Sequence, residues 1–268
     1  MEVSVSNTKP TALITGASSG LGAIFARQLA AQGYGLVLVA RREERLESLA
    51  TEIRERHATP VEVFPADLSQ EADLARLEQH IAELENLELL VNNAGFGTVG
   101  RFAKLAAEKH RAMVNVHLAA TVRFTRAALP GMLARRKGGI INVASLAAFF
   151  PLPGGVTYCA TKSAMVAFSQ TLAMELGGSG VHVQALCPGF TYTEFHDTPE
   201  YASGRRAEIP EFMFGPAEPV VSESLKALGK GQVICIPGGL NKLISIFGRN
   251  HIFLPIVRVV IKRIYRMR

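Results

Sequence analysis

The short apolar run Thr11-Ala-Leu-Ile-Thr15 breaks into Gly16-Ala-Ser-Ser-Gly20-Leu-Gly22, and a helix pattern, Ala23–Ala31, starts at once with Gly33 as its stop. Strand, glycine turn and helix in that order are the context a phosphate cradle requires. Glycines let backbone N–H groups come close to a pyrophosphate, and the helix N-terminus adds partial positive charge. Gly16, Ser18, Ser19, Gly20, Leu21 and Gly22 are therefore read as a nucleotide-binding turn. The spacing G-x-x-x-G-x-G differs from the G-x-G-x-x-G dinucleotide fingerprint, and by itself it also describes an ordinary glycine-rich turn. The flanking strand and helix favour the cradle.

The same alternation runs on. Strand patterns follow at Leu36–Ala40, Val61–Pro65, Leu87–Val91, Gly139–Ala144, Val181–Cys187 and Gln232–Ile236. Helix patterns separate them at Glu43–Arg56, Glu71–Glu85, Ala106–Arg136, with a kink expected near Pro130, and Tyr158–Gly177. This order calls for a seven-stranded, mainly parallel sheet with helices on both faces, a doubly wound α/β architecture. At 268 residues the expectation is one such domain over 1–240, followed by a C-terminal helical tail over 241–268.

The strand ends carry the chemistry. After the second strand, where an acidic residue would grip the ribose 2′-hydroxyl of NAD, stand Ala40, Arg41 and Arg42. Arginine forks match phosphate, so NADP(H) is favoured over NAD(H). Asp67-Leu68 ends the third strand near where an adenine would lie, and Asn92-Asn93-Ala94-Gly95 closes the fourth. Tyr158 and Lys162 are four apart, hence one turn apart on one helix face. An ammonium there favours the phenolate and pulls a tyrosine pKa down from about 10 toward neutrality. Ser145 follows the apolar run Gly139–Ala144 and adds a hydroxyl donor at a strand end, where open α/β sheets place ligands. The three groups suit proton transfer to or from a carbonyl oxygen. Tyr-x-x-x-Lys alone is common by chance; its company gives it weight.

Taken together these residues resemble the short-chain dehydrogenase/reductases, in their one-domain branch, over about Thr11 to Thr193. The resemblance implies a Rossmann-type fold. It makes Thr15–Gly22 the cofactor glycine motif, Asp67 the acidic residue near the adenine and Asn92–Gly95 a sheet-stabilising turn, with Leu68, Asn93, Ala94 and Gly95 on the cofactor path. It assigns Asn115, Ser145, Tyr158 and Lys162 to a catalytic tetrad. Tyr158 would be the acid in reduction and the base in oxidation, and Ser145 would orient the substrate carbonyl. Lys162 would tune Tyr158 and bind the nicotinamide ribose, and Asn115 would hold a water linking Lys162 to solvent. Pro188-Gly189 and Thr193 would hold the nicotinamide. No metal is needed. Similar members pair through the two long helices, so a homodimer or homotetramer is expected, with Thr161, Ala164, Met165 and Phe168 as apolar contacts.

Composition bounds the rest. Three scattered cysteines, Cys159, Cys187 and Cys235, read as thiols in a reducing compartment, and the first ten residues lack the apolar core of a signal peptide, so a cytoplasmic location is expected. The net charge of +6 is uneven: nine Lys/Arg and no Asp/Glu follow Glu223, leaving residues 1–223 at −3, and no nucleic-acid partner is expected. The end of the chain interleaves Arg258, Lys262 and Arg266 with aliphatics. Such a basic amphipathic tail over 249–268 can lie on an anionic membrane surface or pack back on its own core. Liposome flotation with and without 249–268 separates the two. Phe149, Phe150, Phe190, Phe195, Phe212, Met213 and Phe214 suggest a hydrophobic carbonyl or alcohol substrate, or else plain core. Two other activities use related residues: a regulator that senses NADP(H) without turnover, and a sugar-nucleotide epimerase or dehydratase.

Overall fold

The computed structural model describes residues 9–196 and 211–249. Its strands are β1 (Thr11–Thr15), β2 (Gly35–Ala40), β3 (Val61–Pro65), β4 (Leu87–Asn92), β5 (Gly138–Val143), β6 (Val181–Leu186) and β7 (Ile234–Cys235). They form one 7-stranded sheet in the order β3-β2-β1-β4-β5-β6-β7, parallel throughout. The helices are α1 (Gly20–Ala31), α2 (Glu43–His57), α3 (Glu71–Glu83), α4 (Ala107–Val114), α5 (Ala120–Ala134), α6 (Val156–Glu175), α7 (Ala217–Gly229) and α8 (Gly239–Arg249).

A parallel sheet covered on both faces needs strands that are apolar throughout. Leu13 and Ile14 of β1 and Leu38 and Val39 of β2 have no exposed surface. Because side chains alternate along a strand, Ala12 and Ile14 enter one core with Phe25, Leu46, Ile53 and Val221, whereas Leu13 enters the other with Leu74, Leu77, Ile81 and Phe124. Burying a side chain such as Phe25 or Phe124 contributes roughly 1.5–3 kcal/mol. The helical spacing of Leu46, Leu49, Ala50 and Ile53 gives α2 its buried stripe. Glu43 and Glu44 at its start and Arg54, Arg56 and His57 at its end complement the helix dipole.

The strand order reverses between β1 and β4, which opens a crevice at their C-terminal ends. The turns after β1, β4, β5 and β6 all gather at that edge.

The structure redraws the long fourth helix. It is α-helical over Ala107–Val114, a π turn over Asn115–Ala119, and α-helical again over Ala120–Ala134. At Pro130, where the sequence calls for a kink, the helix does not end but continues to Ala134. Arg126, whose carbonyl loses its amide partner to the proline, lies on the exposed side, where water can satisfy it. β7 is also shorter than the Gln232–Ile236 run, reduced to the two residues that pair with Ala185 and Leu186. The tail begins as a helix, α8, that meets the body: Glu223 pairs with Lys242 at 2.7 Å, and a Cβ on Gly248 would stand 2.6 Å from the Phe150 ring. The basic stretch 250–268 lies outside the described residues.

Candidate active site

The turns after β1 and β4 are fitted to each other. Gly16 has φ +67°, and a Cβ there would stand 2.8 Å from Asn93 Nδ2 and 2.9 Å from Ala94 Cα. On Gly22 a Cβ would stand 2.3 Å from the Gly16 carbonyl oxygen. Thr15 Oγ1 accepts the N–H groups of Asn93 at 2.9 Å and Ala94 at 3.0 Å, and Asn93 Nδ2 donates to Thr15 O at 2.8 Å. Asn93 and Ala94 are thereby locked to the glycine turn.

Helix α1 starts at Gly20, its preceding residue Ser19 makes no side-chain cap and its first turn holds no acid, so its leading N–H groups suit an anion. This uncapped end beside glycines that admit no Cβ fits a dinucleotide pyrophosphate. Leu21, partly buried, packs on the core behind it.

The two arginines after β2 diverge in role. Arg42 donates to Ser18 Oγ at 3.1 Å and to Ser19 Oγ at 2.8 Å, while Arg41 is simply exposed. Asp67 Oδ1 accepts from the Ser69 amide at 3.0 Å and hydroxyl at 2.8 Å, beside buried Leu68. Pro188 O accepts the Leu146 N–H at 2.9 Å, tying the end of β6 to the segment after Ser145. Gly189 faces Asn241 of α8, and Thr193 packs on Gly20, 3.2 Å from where a Cβ would be.

Tyr158 lies in the first turn of α6 and Lys162 one turn on, its Nζ 5.8 Å from the Tyr158 ring centroid. Lys162 is 3% exposed, and its Nζ donates to Val143 O at 2.7 Å. Burial pushes its pKa down to about 7, and the neighbouring Cys187 thiol acts weakly the other way. Ser145 lies beyond the end of β5 and caps a short 3-10 turn, Oγ accepting the Ala147 N–H at 3.1 Å. Ser163 Oγ on α6 donates to Ala148 O at 2.7 Å, which holds that turn against α6. Asn115 opens the π turn and donates from Nδ2 to Ser69 O at 3.1 Å. Extra turns of this type recur at functional sites.

Two further groups enter that sequence spacing did not reveal. The first is His117, fully buried, its ring 5.7 Å from that of Tyr158. Phe96 N–H donates to its Nε2 at 3.1 Å, so Nδ1 carries the proton toward Thr161 Oγ1 at 2.9 Å. Thr161 Oγ1 in turn donates to Tyr158 O at 3.0 Å. Burial, and then the charge of Lys162, push the His117 pKa well below the usual range, so the ring is neutral. Two residues apart on the turn, Asn115 and His117 face opposite ways, Asn115 toward Ser69 and His117 toward Tyr158 and Thr161.

The second is Glu194. Its carboxylate spans Arg42 at 3.0 Å and Arg45 at 2.6 Å. Partial burial pushes this carboxyl up, the hydrogen bonds from Arg45 and Arg42 outweigh that, and it is held below its ordinary value. A link across some 150 residues leaves no local mark in a sequence.

The aromatic residues divide. Phe195 lies 5.9 Å from Tyr158, and Phe190 and Tyr192 both pack on Phe214, at 5.5 and 5.3 Å. Phe149 packs on the core beneath α6 and Phe150 against α8, so these two are structural. The side chain of Phe212 lies outside the described residues. Thr161 and Met165, expected as contacts between subunits, are 4% and 1% exposed and face inward, because Thr161 bonds His117 and Met165 belongs to the core beneath α6.

Tyr158 and Lys162 thus stand one turn apart on α6, and the turn that Ser145 caps is tied to that helix by Ser163, at the same sheet edge as a glycine turn that fits a dinucleotide. Comparison with known proteins agrees with this geometry. The family model described as short chain dehydrogenase matches residues 10–201. A protein named Nodulation protein G, from Rhizobium sp. (strain N33), is 36% identical over 238 residues, 85% of this chain and 96% of its own. A short-chain dehydrogenase from Sphingobium yanoikuyae, solved in complex with NADPH, superposes with a TM-score of 0.81 at 34% identity, covering 89% of this chain and 92% of that one. A bulky-bulky ketone specific alcohol dehydrogenase from Comamonas testosteroni gives 0.76 at 34%, covering 88% and 91%. The chain belongs to the short-chain dehydrogenase/reductase family of oxidoreductases.

Proposed function

We propose that this protein interconverts a hydrophobic ketone or aldehyde and its alcohol, with NADP(H) as cofactor and Tyr158 as proton donor and acceptor. The observation that carries the reading is the buried Lys162 Nζ, 5.8 Å from the Tyr158 ring at the open end of the sheet. Burial of this amine pulls its pKa down to about 7, a perturbation of the kind that clusters at functional sites.

Gly16, Ser18, Ser19, Gly20, Leu21 and Gly22 hold the pyrophosphate, Arg42 with Arg41 the 2′-phosphate, and Asp67 and Leu68 the adenine. Asn93, Ala94 and Gly95 line the path to the nicotinamide end, where Lys162 holds the ribose and Pro188, Gly189 and Thr193 the ring. The bound dinucleotide supplies the hydride. Ser145 donates to the substrate oxygen and orients it. Tyr158 gives that oxygen its proton in reduction and removes it in oxidation, and the Lys162 ammonium stabilises the phenolate left behind. Asn115, expected behind Lys162, gives its amide to Ser69 O instead, and the group beside Lys162 is His117: a Cβ on Gly95 would stand 3.0 Å from His117 Nε2 and 3.5 Å from Lys162 Nζ. His117 and Thr161 fix the backbone at Tyr158 and so the direction of the phenol. The guanidinium of Arg42 on the cradle serines supports NADP(H) over NAD(H).

Phe195 against Tyr158 and the Phe190–Tyr192–Phe214 group support a hydrophobic substrate. The bulky-ketone specificity in the name of the Comamonas testosteroni relative points the same way.

A nicotinamide absorbance assay over a panel of carbonyls, run with NADPH and with NADH, tests this. Turnover of long-chain or polycyclic ketones with NADPH is expected. Activity confined to small polar ketones would refute the substrate class. Cofactor binding without any turnover would instead identify a sensor.

A further inference from the structure

Glu194 puts a carboxylate of this chain on Arg42, which the reading above gives to the 2′-phosphate, and on Arg45 beside it. Its Oε2 is 3.0 Å from Arg42 Nη1 and its Oε1 2.6 Å from Arg45 Nη1. Arg42 at the same time holds Ser18 and Ser19 of the cradle. The side chains of Arg42, Arg45 and Glu194 are 44%, 50% and 49% exposed. Ion pairs that open to water are weak and exchange readily. A phosphate monoester brings more charge and one more acceptor oxygen than a carboxylate, so it is the stronger ligand for an arginine pair.

The neighbours of Glu194 make the contact part of a strap across the crevice. Thr193 packs on Gly20, and Phe195 lies 5.9 Å from Tyr158. Three consecutive residues thus reach the phosphate turn, the arginine pair and the phenol.

We propose that Glu194 is a specificity-determining residue whose carboxylate covers the Arg42–Arg45 pair until the ribose 2′-phosphate of NADP(H) displaces it. The proposal rests on the NADP(H) reading above. A dinucleotide without the 2′-phosphate has no group with which to compete, so it binds beside an intact Glu194 contact. The covered fraction lowers the apparent affinity for the phosphorylated cofactor alone.

The test compares Kd values of wild type, Glu194→Gln and Arg42→Ala for NADPH, NADH, 2′,5′-ADP and 5′-AMP at one low ionic strength. Glutamine keeps the size of the side chain and removes the charge. Glu194→Gln is expected to tighten NADPH and 2′,5′-ADP about three- to tenfold, leaving NADH and 5′-AMP within about twofold. Arg42→Ala is expected to weaken the two phosphorylated ligands more than NADH and 5′-AMP, which lose only its support of Ser18 and Ser19. If Arg42→Ala acts that way but Glu194→Gln leaves NADPH binding unchanged or weaker, the Glu194 proposal is overturned and the cofactor reading stands. If Arg42→Ala spares NADPH and wild type shows no preference for it, both fall together.

Discussion

Lys162 sets the electrostatics of the site, and its burial has a signature in stability. A lysine in the unfolded chain keeps its proton to about pH 10.5, whereas Lys162 in the fold releases it near 7. Between those values the unfolded chain binds more protons than the folded one. Stability therefore rises with pH across that window, and below it the folded state bears the full desolvation cost. Lys162→Met removes the buried charge and keeps most of the volume, although it takes a donor from Val143 O. Without cofactor, the variant is expected to be more stable than wild type near neutral pH, by roughly 1–3 kcal/mol, with the difference closing toward pH 10.5. Thermal melts across that range check it; a variant less stable at every pH would contradict the burial penalty. Tyr158, Lys162 and Ser145 were legible in the sequence because their spacing on a helix and at a strand end is itself the signal. His117 and Glu194 were not, because what makes them matter is a neighbour far away in the chain.

At the scale of elements, the paired turns after β1 and β4 are the most tightly specified. Gly22→Ala would bring a Cβ to 2.3 Å from Gly16 O and 2.6 Å from Asn93 Nδ2. Both atoms belong to segments that Thr15 holds in place, so neither can yield cheaply. The variant is expected to lose about 2 kcal/mol of stability and most of its dinucleotide affinity; denaturant unfolding and a binding titration check this, and a wild-type profile in both would contradict the fit. The order of strands and helices was readable in advance because strands buried on both faces are unbroken apolar runs. The π turn was not. It adds one residue to a single turn, a shift too small to disturb the hydrophobic period of the surrounding helix. Pro130 does not end its helix because its missing hydrogen bond falls on the solvent side, where water can satisfy the freed carbonyl.

Over the whole molecule, the doubly wound order brings segments from Gly16 to Thr193 to one edge of the sheet, and this convergence makes a site of residues that are each commonplace alone. Family membership follows from the same order of motifs. The expected boundary between 240 and 241 falls inside α8, whose Leu240, Leu243 and Ile246 are 48%, 54% and 57% exposed just before the basic stretch. Why that face is apolar depends on what the remaining residues do, and the sequence alone offered both a membrane surface and the chain's own core. The account as a whole depends on one proton, the one carried by Tyr158. Its most direct test is Tyr158→Phe, assayed for NADPH binding and for ketone turnover on the same preparation. The expected result is an unchanged Kd for NADPH with kcat lower by about 10²–10⁴-fold, and turnover at the wild-type rate would contradict the account.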